Sequence, residues 1–150
     1  MEPSSINKVT PSLSTSSCGV FDVFSRECLM NIENGLHARP IVMLMKLAKH
    51  FVRSEEGERV EFIVNNHAVN PRQGIIAMLG LVGGKGSVLG VTVRCAEAER
   101  AQGLLDSVQA LVCHACPEDA IHRPDAAEKI GLKPELVDLL RRSIQSLRPE

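Results

Sequence analysis

Two hydrophobic periods alternate along the chain, and the switches between them outline its elements. Apolar positions partly alternate through Val20, Phe21, Val23 and Phe24, then through Cys28, Leu29, Met30 and Ile32. That pattern predicts a strand over 20–32. Asn34-Gly35 breaks it. From 38 to 52, Ile41, Val42, Leu44, Met45, Leu47, Ala48 and Phe51 recur at spacings of three and four, which predicts a helix with one apolar face. Pro40 fits a helix only in its first turn, where no N–H donor is needed, so this helix must open beside His37. Lys49 and His50 near its end suit the helix dipole.

Val60, Phe62 and Val64 mark a short strand. Asn65-Asn66-His67 reads as a hairpin turn, because Asn tolerates positive φ, and 68–70 returns as a second strand before Pro71. The stretch 75–82 (IIAMLGLV) is rich in helix formers and is closed by Gly83-Gly84-Lys85-Gly86. Residues 87–94 alternate and are β-branched, hence a strand. Ala101, Leu104, Leu105, Val108, Leu111 and Val112 place a helix over 98–112. The order β-α-β-β-α-β-α predicts an α+β open-faced sandwich over 20–113, with helices on one face of a four-stranded, mainly antiparallel sheet.

Residues 1–19 are rich in Ser, Thr and Pro and read as a flexible tail. After 112 the register changes. Asp125-Ala126-Ala127-Glu128 resembles a capping box, Gly131 is placed to end that helix, and Pro134 opens another with Leu136, Val137, Leu140, Ile144 and Leu147 on one side. Residues 114–150 are too few for a core of their own, so this helical appendix is expected to dock on the main domain or on a partner.

Composition narrows the functions open to such a fold. The charge is nearly balanced, 17 Lys+Arg against 18 Asp+Glu, and there is no basic surface for nucleic acid. The only aromatics are four Phe, so no platform exists for stacking bases. No apolar run reaches membrane-spanning length, and the N-terminus lacks a secretory pattern, which together predict a cytoplasmic protein without membrane insertion. The five cysteines are odd in number and irregularly spaced, which predicts reduced thiols.

The candidate chemistry lies in Asn34-Gly35-Leu36-His37-Ala38-Arg39-Pro40. A helix start offers unsatisfied N–H groups and a partial positive charge, a ready anion site. Arg39 adds a planar cationic fork suited to phosphate oxygens. A neutral imidazole is a competent nucleophile. The combination fits a histidine that accepts a phosphoryl group, with Gly35 turning the backbone to lift it to the surface. The same spacing also fits a surface or capping histidine.

The motif NGLHARP, following a strand and opening an amphipathic helix, resembles the active-site motif of HPr, the histidine phosphocarrier family of the bacterial phosphoenolpyruvate-dependent sugar phosphotransferase system. IVMLMKLAKHF, VEFIVNN, AVN, IIAMLGLVGGKG, SVLGVTV and AEAERAQGLLDSVQALV follow in the family's order, over about 20–113. The resemblance implies that His37 carries the phosphoryl group on Nδ1 and that Arg39 steadies it. The amides of Ala38 and Arg39 would add phosphate-binding donors, and Asn34 would lie close enough to hydrogen-bond nearby. It implies an enzyme I-type kinase as donor, EIIA-type proteins as acceptors, and no cofactor. Partners in the family dock on exposed apolar residues around the second helix, here Ile75, Ile76 and Leu79. In many members that helix begins with a regulatory serine; Gly74 stands there, or Gln73 in a second alignment. A nitrogen-type regulatory paralogue and a non-catalytic interaction module on the same fold are the alternatives.

Two further motifs carry less. Cys113-His114-Ala115-Cys116 with His122 lacks the second matched pair of a structural zinc site, so no metal is expected. Gly83-Gly84-Lys85-Gly86 lacks the length and trailing hydroxyl of a phosphate loop and predicts a turn.

Overall fold

Asn65 and Asn66 adopt φ of 53° and 68°, the left-handed pair that lets two strands return on each other with a two-residue turn. They join β2 (Arg59–Val64) to β3 (His67–Val69), with Val64 opposite His67. His67 therefore opens β3 instead of lying inside the turn. The computed structural model describes residues 21–33, 35–81 and 83–145. Asn34, Val82 and Leu147, and the tail over 1–19, lie outside them.

β1 (Asp22–Leu29) and β4 (Val88–Cys95) complete a four-stranded antiparallel sheet in the order β1-β4-β2-β3. Central β4 buries every second residue, Leu89, Val91, Val93 and Cys95, as its alternation requires. Val60, Phe62 and Val64 of β2 join them in the core. Against this core pack α1 (Ala38–Phe51) and α3 (Ala98–Val112), which contribute Ile41, Leu44 and Leu47, and Leu104, Leu105 and Val108. The short α2 (Ile75–Leu79) buries Met78 against the same core. β1 ends three residues earlier than the sequence pattern suggests: Met30 still donates to Ser87 O, the next position in register, at 2.9 Å, but Asn31 turns away to Val112 O.

Residues after α3 form three more helices: α4 (Pro117–Ala120), α5 (Ala126–Ile130) and α6 (Pro134–Gln145). α6 packs on α1, and its Leu136, Val137, Leu140 and Ile144 belong to the same buried cluster as the sheet. Arg141 ties α6 to the end of α4 by donating twice to Ile121 O, at 3.0 and 2.8 Å. Gly131 caps α5 in the left-handed region, φ 84°, as its position suggests. The capping box expected at Asp125 does not form. Its backbone is at φ −104°, ψ 31°, away from the extended geometry that aims a cap side chain at the helix amides, and the side chain makes no cap bond. Among the described residues no helix is long and apolar enough to cross a membrane.

Candidate functional site

The loop between β1 and α1 is stitched to three parts of the molecule. Met30 donates to Ser87 O at the entry to β4, Asn31 to Val112 O at the end of α3 (2.8 Å), and Glu33 to Ala115 O just before α4 (2.8 Å). Leu36 donates to Gly83 O at 2.9 Å. Gly35 sits at φ +71° and passes so close to Gly83 O that a Cβ would collide with it. Only glycine meets both conditions. The glycine-rich loop 83–86 is thus part of the scaffold that aims the next residues.

Those residues are His37, Ala38 and Arg39. His37 is the N-cap of α1, with extended backbone (φ −118°, ψ −167°), and its carbonyl accepts the amide of Ile41 at 3.0 Å. Its ring makes no capping hydrogen bond, and the side chain is 38% exposed. The amides of Ala38 and Arg39 find no acceptor among the described residues, and Pro40 has no amide to offer. α1 therefore starts with two outward donors next to an accessible imidazole. The Arg39 side chain is exposed and has no ion-pair partner among the described residues.

One neighbour of His37 escaped the sequence. Glu118 of α4 brings Oε2 to 3.7 Å from His37 Nε2, with its own side chain only 19% exposed. Arg39, Glu118, Asp119, His122 and Ile144 line a small cleft of about 30 Å³. The local signal for α4 was present: Pro117 at the first helical position, then Glu118 and Asp119 in the first turn. Nothing in that signal says where the helix docks.

The docking candidates sit on α2. Ile76 is 80% exposed and Leu79 37%, whereas Ile75 is half-buried and packs on the core. Ahead of them lies a 3-10 turn, Pro71–Gln73, closed by a reciprocal cap. Arg72 N donates to Asn70 Oδ1 and Asn70 N to Gln73 Oε1, each at 2.9 Å. Gly74 follows at φ +102°, ψ 172°, a backbone region open essentially to glycine alone. The Gln73 side chain is thus committed to the cap, and Gly74 is required by the turn.

Three of the described cysteines, Cys28, Cys95 and Cys116, are held toward the neutral thiol. Burial pushes the Cys28 thiol up to about 11. Cys116 is pushed up by desolvation and by the carboxylates of Glu33 and Asp119. Among the described residues no three His, Cys, Asp or Glu side chains gather as a metal-binding group.

An open-faced α+β sandwich with a half-exposed histidine at the mouth of its first helix defines the class. Residues 24–112 match the family model described as the PTS HPr component phosphorylation site. The chain belongs to the HPr family. It is similar to the crystal structure of a phosphocarrier protein HPr from Bacillus anthracis str. Ames, at 23% identity and a TM-score of 0.48, over 60% of this chain and 96% of that one. HPr-C-His from Thermoanaerobacter tengcongensis is similar at 22% identity and a TM-score of 0.47, over 58% and 92%. No curated protein sequence matches the chain.

Proposed function

We propose that this chain is a phosphocarrier that accepts a phosphoryl group on His37 from an enzyme I-type kinase and passes it to EIIA-type proteins. The observation that carries the reading is the state of His37: an accessible imidazole at a helix start, with no capping bond, inside the family match. The Nδ1 lone pair attacks phosphorus in line while the donor's P–N bond breaks and its electron pair stays with the donor ring. Ala38 N–H, Arg39 N–H and the Arg39 guanidinium hold the phosphoryl oxygens in this reading. Positioning and charge supply the rate, and the partner's site completes it. Within this reading 20–113 is the carrier domain, 114–150 an appendix and 1–19 a tail, and the exchange takes place in the cytoplasm. Ile76 and Leu79, with Ile75 beneath them, form the partner-docking surface. Gly74 favours a member without serine control, the nitrogen-type paralogue included.

The test is incubation with an enzyme I-type kinase and phosphoenolpyruvate. Wild type should gain acid-labile phosphate and pass it to an EIIA-type acceptor, and His37→Ala should gain none. Equal labelling of the variant, or none of the wild type, refutes the reading. Transfer to a sugar-permease acceptor, against transfer to a regulatory acceptor alone, separates the two kinds of carrier.

A further inference from the structure

We propose that Glu118 is a positioning residue for His37, holding the Nε2–H so that the lone pair stays on Nδ1. This rests on the reading of His37 as phosphoryl acceptor. Three observations carry it. Glu118 Oε2 lies 3.7 Å from Nε2, ion-pair distance for a protonated ring and longer than a hydrogen bond, a gap of the kind that closes when a reacting complex forms. The carboxylate is mostly withdrawn from water, and the imidazole is its one ion-pair partner among the described residues. Its placement is rigid. Pro117 and Ala120 of α4 are buried, Ile121 is fully buried, and Arg141 clamps the Ile121 carbonyl. Glu33 N–H to Ala115 O fastens the start of this segment to the histidine's own loop.

The chemistry then follows from one proton. A neutral imidazole carries a single N–H. With that N–H on Nε2, facing Glu118, the nucleophilic pair is on Nδ1. When Nδ1 forms its bond to phosphorus and the donor's P–N bond breaks, Nε2 keeps its proton and the ring becomes cationic. The carboxylate faces that new charge. On onward transfer the P–N bonding pair returns to Nδ1 and the ring is neutral again. The other charged or titratable groups that share a cleft with Glu118 are Arg39 on α1 and Asp119 and His122 from the α4 segment. Glu118 lies outside the span that matches the family, 24–112, so the device belongs to this chain's appendix.

The experiment pairs Glu118→Ala with the isosteric Glu118→Gln in the full chain. Two readings are taken, the rate of phosphoryl gain from the enzyme I-type kinase and the ring ¹⁵N spectrum of neutral His37. Wild type should show a pyrrole-type Nε2 and a pyridine-type Nδ1. Glu118→Ala should move both signals toward the free-imidazole mixture and slow transfer about tenfold, the low end for a group that orients a histidine. Glu118→Gln should fall between the two. Unchanged rates in both variants overturn the proposal, as does faster transfer, which would mean that the appendix obstructs the site. Slower transfer with an unchanged ring spectrum overturns it too, since it indicates packing alone. If wild type gains no phosphate while its ring spectrum still depends on Glu118, the carrier reading fails and the contact stands.

Discussion

An imidazole at a helix start either closes the helix with its own side chain or leaves the amides free, and His37 leaves them free. Arg39 is a permanent cation in the first turn that follows. Arg39→Ala is expected to slow phosphoryl gain roughly 10²-fold, as loss of one well-aimed donor does. Arg39→Lys should recover only part of this, because an ammonium lacks the bidentate fork. Rapid-quench labelling measures both. At Gly74 the backbone conformation itself disfavours a serine. Gly74→Ser is expected to cost about 1–3 kcal/mol in urea denaturation, because φ +102° excludes a Cβ-bearing residue.

Between elements, the ties that matter are few and buried. Arg100 of α3 donates to both carboxylate oxygens of Glu58 at 2.6 Å and to Phe51 O at the end of α1 at 2.8 Å. Arg53 N and Ala96 N fill the remaining sites on that carboxylate, at 2.9 and 3.1 Å. The Arg100 hydrogen bonds hold the Glu58 carboxyl down at about 2, against an ordinary 4.5. A depressed carboxylate stabilises the fold fully above its unfolded value. That stability, about 3 kcal/mol at 1.4 kcal/mol per pH unit, is lost as pH falls from about 4.5 toward 2. Arg100→Leu is expected to destabilise by roughly 3–5 kcal/mol at neutral pH and to flatten the acid limb of a stability–pH curve. The elements these residues join were legible because periodicity is local: 98–112 reads as a helix from its own side chains. The pair itself was not, since Glu58 stands in a polar loop and Arg100 on a helix flank, and only tertiary packing brings them together. Asp125 shows the reverse failure, a local pattern that the backbone does not use.

Over the whole molecule the appendix decides how much of the site could be read in advance. His37, Ala38 and Arg39 share one motif with the turn that presents them, so sequence order alone set them side by side. Glu118 lies some eighty residues on and meets His37 through tertiary packing, with α4 and α6 both against α1 and Ala115 bonded to Glu33. Leu140, fully buried in α6, is the residue that tests this anchorage. Leu140→Ala should cost about 2–5 kcal/mol in urea denaturation, through lost burial and the cavity left behind. The bond from Glu33 N–H to Ala115 O adds a consequence of another kind. An amide held in this way exchanges its hydrogen for deuterium only when the joint opens. The Glu33 amide therefore keeps time for this joint: its exchange rate counts how often Ala115 and the loop that carries His37 part.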